Sequence, residues 1–395
     1  MDKNSLLRGL TRNIIIVGFV SLFTDLSSQM VFPLIPLFLT TVLGASAWLV
    51  GLVEGSAETT ASLLKVLSGY WSDKIKKRKP FVLTGYGLST IAKPLFAFAS
   101  SGFFVLSIRV FERIGKGIRA APRDAIIAES SDESVRGKAY GFHRAMDGVG
   151  SILGAIIAFI LLPIIGFRNI FLFAFIPGVI AVFLILFIKE NRSKKQVTGQ
   201  EPYVKISLSK LPRNLKLFIF VSSIFAIGHF GYAFLLLKVQ NIGLSDNTAV
   251  LFYVFFYIIY TIFVIPSGIL SDKVGRKPVL IGGYILFVIT SIGLMFSTSF
   301  NFVLFFFIVY GIFYAMIDGV QRAFVVDLAP SELKATALGT FHTAIGIVAL
   351  PSGFIAGLIW DTISPEGTFL YAILLTILAL ILFNFVKNNK KYNKN

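Results

Sequence analysis

The reading of this chain turns on Gly69-Tyr70-Trp71-Ser72-Asp73-Lys74-Ile75-Lys76-Lys77-Arg78-Lys79-Pro80, a run of charge set between two long apolar segments. The run has a second copy. Some two hundred residues on, the chain reads Gly268-Ile269-Leu270-Ser271-Asp272-Lys273-Val274-Gly275-Arg276-Lys277-Pro278, again between apolar segments. Further pairs keep nearly the same spacing: Gly85-Tyr86 with Gly283-Tyr284, and Phe142-His143 with Phe341-His342. A fixed period this long predicts two homologous halves.

Composition sets the solvent. Of 395 residues, 55% are hydrophobic and only 14% charged, and the mean hydropathy is +0.80. Soluble domains carry about 25% charged residues. Such a chain cannot cover itself with polar surface, and its apolar runs approach or exceed the ~20 residues that cross a bilayer. A polytopic membrane protein follows. Long continuous runs, instead of alternating ones, exclude a closed β-barrel. Most of the 41 Phe read as lipid-facing and packing surface.

The net charge of +17 would suit nucleic acid, but its placement argues against that partner. Basic residues cluster at Lys3, Arg8 and Arg12, at Lys74 to Lys79, at Lys189 to Lys216, at Lys273 to Lys277 and at Lys387 to Lys394. The intervening loops, such as Thr40 to Trp48, Ser100 to Phe103, Ser297 to Asn301 and Thr362 to Thr368, have no Lys or Arg. This alternation is the positive-inside pattern. It predicts a multi-pass protein of the cytoplasmic membrane, with both termini and the central linker cytoplasmic and an even number of spans. No cleavable signal is evident, because the basic start leads straight into a full-length span. The expected spans are 12–42, 46–72, 79–100, 102–129, 134–163 and 167–189, then 214–240, 246–271, 278–298, 300–328, 333–362 and 366–387. Residues 1–189 form the first half, 190–213 a cytoplasmic linker and 214–395 the second half.

Gly-x-x-x-Asp-Lys/Arg-x-x-Arg/Lys-Lys, placed between the second and third spans of each half, resembles the signature of the major facilitator superfamily, in its bacterial-type, twelve-span form. The resemblance covers essentially the whole chain. It implies an all-α membrane protein of twelve transmembrane helices in two pseudo-symmetric six-helix bundles, each built of inverted three-helix repeats. The two halves would rock about a midplane site. By the same resemblance, Gly69, Asp73, Lys74 and Arg78, with Arg123 and Asp124, and Gly268, Asp272, Lys273 and Arg276, gate the cytoplasmic side. Asp73 is expected to meet Arg123 and a helix end of the other half.

A charge inside a span is a site hypothesis by default, since hydrocarbon penalises it by at least a few kcal/mol. The fourth span carries Arg109, Glu112, Arg113, Lys116, Arg119, Arg123 and Asp124. At the helical period all of these fall within an arc of about 140°. One face of that helix is therefore wet or paired. Its Arg113-Ile114-Gly115-Lys116-Gly117-Ile118-Arg119-Ala120 resembles the superfamily's Arg-x-x-Gln-Gly-x-Gly-Ala, with Lys116 and Arg119 as departures. Arg113 takes the position associated with proton coupling. In the second span Glu54 and Glu58 lie one turn apart, and two such carboxylates resist being ionised together. They are candidates for proton coupling. The structural alternative pairs them with Arg109, Arg113 or Lys93. By resemblance, Asp25 of the first span faces the central cavity and the solute or coupling ion. Residues 146–155 resemble an antiporter motif, Gly-x-x-x-Gly-Pro-x-x-Gly-Gly, keeping Gly150 and Gly154 but with Met146 and Ser151 where the motif has Gly and Pro.

The second half is poorer in charge. His229, Tyr232, Tyr253, Tyr257 and Asp318, with Arg109 and Arg113 of the first half, are the candidate substrate contacts. His143 and His342 read as packing residues. No cofactor is expected; three His and no Cys give no structural metal cluster. Nucleotide-loop and serine-nucleophile motifs are absent, which argues against an enzyme. The leading expectation is a monomeric, proton-coupled secondary transporter of a small solute, with a preference for polar or anionic cargo. Its alternatives are a multidrug efflux antiporter, a transport-inactive receptor or scaffold with its charges fixed in pairs, and a membrane-embedded enzyme or flippase.

Overall fold

The computed structural model describes residues 9–75, 77–132, 135–189 and 211–387. The basic residues Lys3 and Arg8, Lys76, the linker at 190–210 and the tail cluster at 388–394 lie outside them. The described residues are mostly helical, with no strand among them. The helices are α1 (Arg12–Gln29), α2 (Leu34–Leu37), α3 (Ala47–Ile75), α4 (Lys79–Leu95), α5 (Gly102–Glu129), α6 (Arg136–Phe173) and α7 (Phe175–Ile185). They continue as α8 (Arg213–Gly228), α9 (Tyr232–Asn241), α10 (Asp246–Val274), α11 (Arg276–Phe296), α12 (Phe300–Leu328), α13 (Lys334–Thr362) and α14 (Pro365–Phe383). Helices satisfy their own backbone groups, which is what hydrocarbon demands. Nine stretches among the described residues are long and apolar enough to cross a membrane. The charge-laden α3 and α5 are not among them.

Two expected spans are interrupted, at corresponding places in the sequence repeat. The first, expected as 12–42, stops at Gln29; Pro33 and Pro36 have no N–H to continue the ladder, and α2 runs into a π-helical turn at Phe38–Val42. The seventh, expected as 214–240, breaks at His229–Gly231, where Gly231 takes φ 72°. A side chain there would be strained, so the break depends on glycine. The boundary expected between the fifth and sixth spans falls on Gly166, which leaves the helical region at φ 73° and ψ 173° within the α6 segment.

The Cα packing resolves two compact units. The first comprises the described residues of Met1–Phe32, Leu63–Ala99 and Ser107–Tyr203. Its apolar core joins Ile14, Val17 and Val20 of α1 to Val82 and Tyr86 of α4, Ile126 and Ile127 of α5, and Ala181 and Ile185 of α7. Helix α6 lies backbone to backbone on α1: a Cβ at Gly150 would sit 2.3 Å from the Leu22 carbonyl oxygen, and one at Gly154 equally close to that of Leu26. Such contacts let helices associate where lipid supplies no hydrophobic drive.

The second unit comprises the described residues of Pro33–Ser62, Ser100–Leu106 and Val204–Asn395. Within it the first half of α3 packs on α13 through small residues. A Cβ on Gly353 would fall 2.2 Å from the Gly51 carbonyl oxygen, and Thr59 Oγ1 donates to the Gly346 carbonyl at 2.6 Å. At the start of α3, the Asp361 carboxylate accepts from the backbone N–H groups of Ala47 at 3.0 Å and Trp48 at 2.8 Å. Both belong to the helix's otherwise unpaired first turn.

Candidate functional site

The residues expected to gate form the same cluster twice. In the first unit Arg78 meets Asp73 at 2.5 Å, Glu129 at the end of α5 at 3.4 Å, and the Ser72 hydroxyl at 2.9 Å. In the second, Arg276 meets Asp272 at 2.5 Å, Asp327 at the end of α12 at 3.5 Å, and the Ser271 hydroxyl. The expected Asp73–Arg123 contact is not what forms. Asp73 is taken by Arg78 of its own loop, and Arg123 pairs with its neighbour Asp124 at 2.9 Å. Two further repeated clamps escaped sequence reading. Lys79 Nζ donates to the Leu186 and Ile188 carbonyls at 2.7 and 2.8 Å, and Lys277 Nζ to those of Asn384 and Val386 at 3.2 and 2.8 Å. Asn13 and Asn214 each exchange two hydrogen bonds with the backbone of Lys189 and Lys387.

Deep in the first unit the cations of α5 find their counter-charge on their own helix. Glu112 Oε2 lies 3.3 Å from Arg109 Nη1 and 3.4 Å from Arg113 Nε, and all three side chains are at most 7% exposed. Sequence reading did not single out Glu112 as the partner of Arg109 and Arg113. Phe32, in the interruption of the first span, carries both guanidinium groups, with their carbons 4.1 and 4.7 Å from its ring centre. Cation–π attraction of this kind strengthens when both groups are desolvated. The set is not closed, however: Arg113 Nε and Nη1 and Glu112 Oε1 are buried without a hydrogen-bond partner among the described residues. Lys93, fully buried, donates to Ser27 Oγ at 2.7 Å, and Arg119 donates to Ser89 Oγ at 2.5 Å while lying over the Tyr86 ring. Nearer the start of α6, His143 Nε2 lies 2.7 Å from Ser21 Oγ, and its Nδ1 lies 3.5 Å from Asp147.

In the second unit the candidates separate into two groups. Tyr232 donates to Glu54 Oε2 at 3.4 Å and packs at a tilt against Tyr253, which in turn touches Tyr257, at ring distances of 5.0 and 5.2 Å. The ladder goes on through Tyr260, whose hydroxyl donates to Asp318 Oδ2 at 3.0 Å; Asp318 also holds Arg322 at 2.8 Å. Tyr260 is thus a ladder member that sequence reading missed, although it follows Tyr257 at helical spacing. His229 stands apart from the ladder. At the break of the seventh span it packs against Phe225, Phe287 and Phe313 and lies 3.0 Å from the Tyr310 hydroxyl. Glu58 lies 3.4 Å from the Ser62 hydroxyl one turn on.

Comparison with known proteins fits these features. The family model described as Major Facilitator Superfamily matches residues 17–255 and 217–395. An uncharacterized MFS-type transporter of Methanocaldococcus jannaschii is 41% identical over 387 residues, 96% of each chain. A fosmidomycin resistance protein of Escherichia coli is 23% identical, covering 68% of each chain. Among solved structures, a nucleoside transporter superposes with a TM-score of 0.80 at 13% identity, over 94% of this chain and 99% of that one, which speaks to the fold. Apolar spans, duplicated charged loops and a match along nearly its whole length show that the chain is a multi-pass membrane protein belonging to the Major Facilitator Superfamily of transporters.

Proposed function

We propose that the protein is a proton-coupled secondary active transporter that moves a small anionic organic solute across the cytoplasmic membrane by alternating access, acting as a monomer. The observation that carries this reading is the buried pair Arg109 and Arg113 over Phe32, with Arg113 Nη1 lacking a hydrogen-bond partner among the described residues. A buried cation with open donors is costly unless something fills them, and a planar carboxylate or a phosphate matches the guanidinium fork. A scaffold with all charges fixed in pairs would leave no such donors. The position supports the reading too. Interrupted spans at corresponding points of two repeats mark solute sites in transporters of this architecture, and the first interruption holds Phe32. In the second unit Tyr232, Tyr253, Tyr257 and Asp318 are proposed solute contacts, with His229 packed apart from them against Phe225, Phe287 and Phe313.

Twelve spans are the count we propose. The nine apolar stretches include one of 50 residues, Arg136–Ile185, which turns at Gly166 and so accounts for two spans; α3 and α5 supply two more. An even count suits cytoplasmic termini, halves at 1–189 and 214–395, and the linker at 190–213. Asp25, Glu54, Glu58 and Arg113 are the proposed coupling groups, and the two Arg78- and Arg276-centred clusters the gate. Reconstituted protein tested for proton flux against a panel of carboxylates, phosphate esters and aromatic cations checks the reading. Flux with anions is expected. Flux with aromatic cations alone would favour the second reading, multidrug efflux, for which the tyrosine ladder would be the binding surface. Asp25→Asn should abolish uphill accumulation and spare downhill exchange; retained uphill transport would move the coupling role to Glu54 or Glu58.

A further inference from the structure

Helices α1 and α6 run side by side in one direction, as two backbone contacts that advance by four residues on each helix establish. Ser21 touches His143, Gly150 meets Leu22 and Gly154 meets Leu26. One helical turn beyond Ser21 is Asp25, and one turn beyond His143 is Asp147. Both carboxyls therefore lie one turn on from the Ser21–His143 contact, and Asp147 is part of the charged surroundings of Asp25. Their settings differ. Asp25 is only partly buried. Asp147 Oδ2 is engaged by His143 at 3.5 Å and by the exposed Arg144 at 3.8 Å, whereas its Oδ1 is sealed from solvent without a partner.

The nearby cations are committed elsewhere. On α5, Arg119 is held by Ser89 and Tyr86, and Arg123 by Asp124; on α4, Lys93 is held by Ser27. Lys116 of α5 completes the charged groups around the pair, and α7, which also packs on α1, has no ionisable side chain. An anionic oxygen buried with no donor is unfavourable. A proton on that oxygen removes the penalty and supplies a donor toward the neighbouring carboxyl.

We propose that Asp147 is a second proton-carrying carboxyl that shares one proton with Asp25, and that His143, anchored by Ser21, is the positioning residue for it. The proposal rests on the coupling role given to Asp25 and adds the inner site to which the proton passes. Asp25 is the accessible member and Asp147 the sealed one. A proton taken up at Asp25 moves to Asp147 Oδ1 with no net change of charge in the pair. His143 keeps Oδ2 occupied throughout, which leaves Oδ1 as the oxygen that exchanges.

Infrared difference spectra of the full chain in liposomes, recorded as the pH is stepped, read the carbonyl band of protonated carboxylic acids without any solute. The expected result is a titrating band in the wild type that is lost in both D25N and D147N. H143Q should keep the band at a shifted frequency, because the hydrogen bonding of the same carboxyl changes. A band lost in D25N but intact in D147N overturns the shared pair and leaves Asp25 as the coupling group. No titrating band in the wild type, or one that neither variant removes, overturns both. Should D147N fail to fold, D147E carries the test: moving the carboxyl by one methylene shifts the band if residue 147 holds the proton and leaves it unmoved if it does not.

Discussion

Helices α5 and α12 occupy equivalent places in the sequence repeat and have diverged in the middle while agreeing at the end. At their ends, Glu129 and Asp327 close the same three-residue cluster around Arg78 and Arg276. In their middles, α5 buries Arg109, Glu112 and Arg113, whereas the corresponding stretch of α12 offers Tyr310, Phe313 and Tyr314. The charges α12 carries short of its end, Asp318 and Arg322, remain about 30% exposed and pair one turn apart. Duplicated ends suit a task both halves perform in every cycle. Divergent middles suit tasks that differ between the halves.

The sharpest way to break that contrast is to remove the counter-charge from each middle. Glu112→Ala leaves two guanidinium groups buried without their carboxylate and should lower stability by about 3–5 kcal/mol, read as a fall in the detergent melting temperature. Asp318→Ala, at a partly hydrated pair, should lower it by no more than about 1 kcal/mol; equal losses would show that the two middles are energetically alike. Next in size, Arg113→Ala should weaken binding of an anionic solute roughly 10- to 100-fold, the range of a charge-assisted hydrogen bond, and Arg113→Lys should recover little of it because the fork is lost. Normal binding with lost coupling would instead make Arg113 a group that acts on a carboxylate.

Gly353→Ala sets a methyl against the Gly51 carbonyl, a misfit worth about 1–3 kcal/mol. Cysteine-accessibility labelling along α3 should then rise. Unchanged labelling would mean that the close approach is dispensable. The smallest effects belong to the ends: Asp73→Asn and Asp272→Asn, both well exposed, should each slow turnover only a few-fold, and to the same degree. A strong effect from one and none from the other would break the equivalence of the duplicated clusters.

The spans and the paired loops were legible because hydrophobic runs and a period of charged residues survive in one dimension. The face of α5 that carries charge was legible too. Its partner was not. Helical spacing assigns Glu112 to the same arc as Arg109 and Arg113, but nothing in spacing ranks it above Glu54 or Glu58 on a neighbouring helix. Phe32 was lost among 41 phenylalanines, since an aromatic ring that receives two cations has no sequence mark of its own. The clamps from Lys79 and Asn13 end on backbone carbonyls, which every residue possesses. The break at Gly231 rests on a single positive φ that a glycine permits but does not announce.

The seam between α3 and α13 has a thermodynamic consequence for a machine that must open and close. Gly51, Gly353 and Gly346 have no rotamers to lose, so bringing their backbones together orders almost nothing, and parting them releases almost nothing. Larger side chains meshed at the same seam would tie each closure to an entropic penalty and each opening to a gain, and the two end states would be pulled apart in free energy. A seam of bare backbone keeps that difference small. Directional groups also span it, Thr59 on the Gly346 carbonyl and Asp361 on the first turn of α3. A solute or a proton worth one or two hydrogen bonds is enough to tip such a balance.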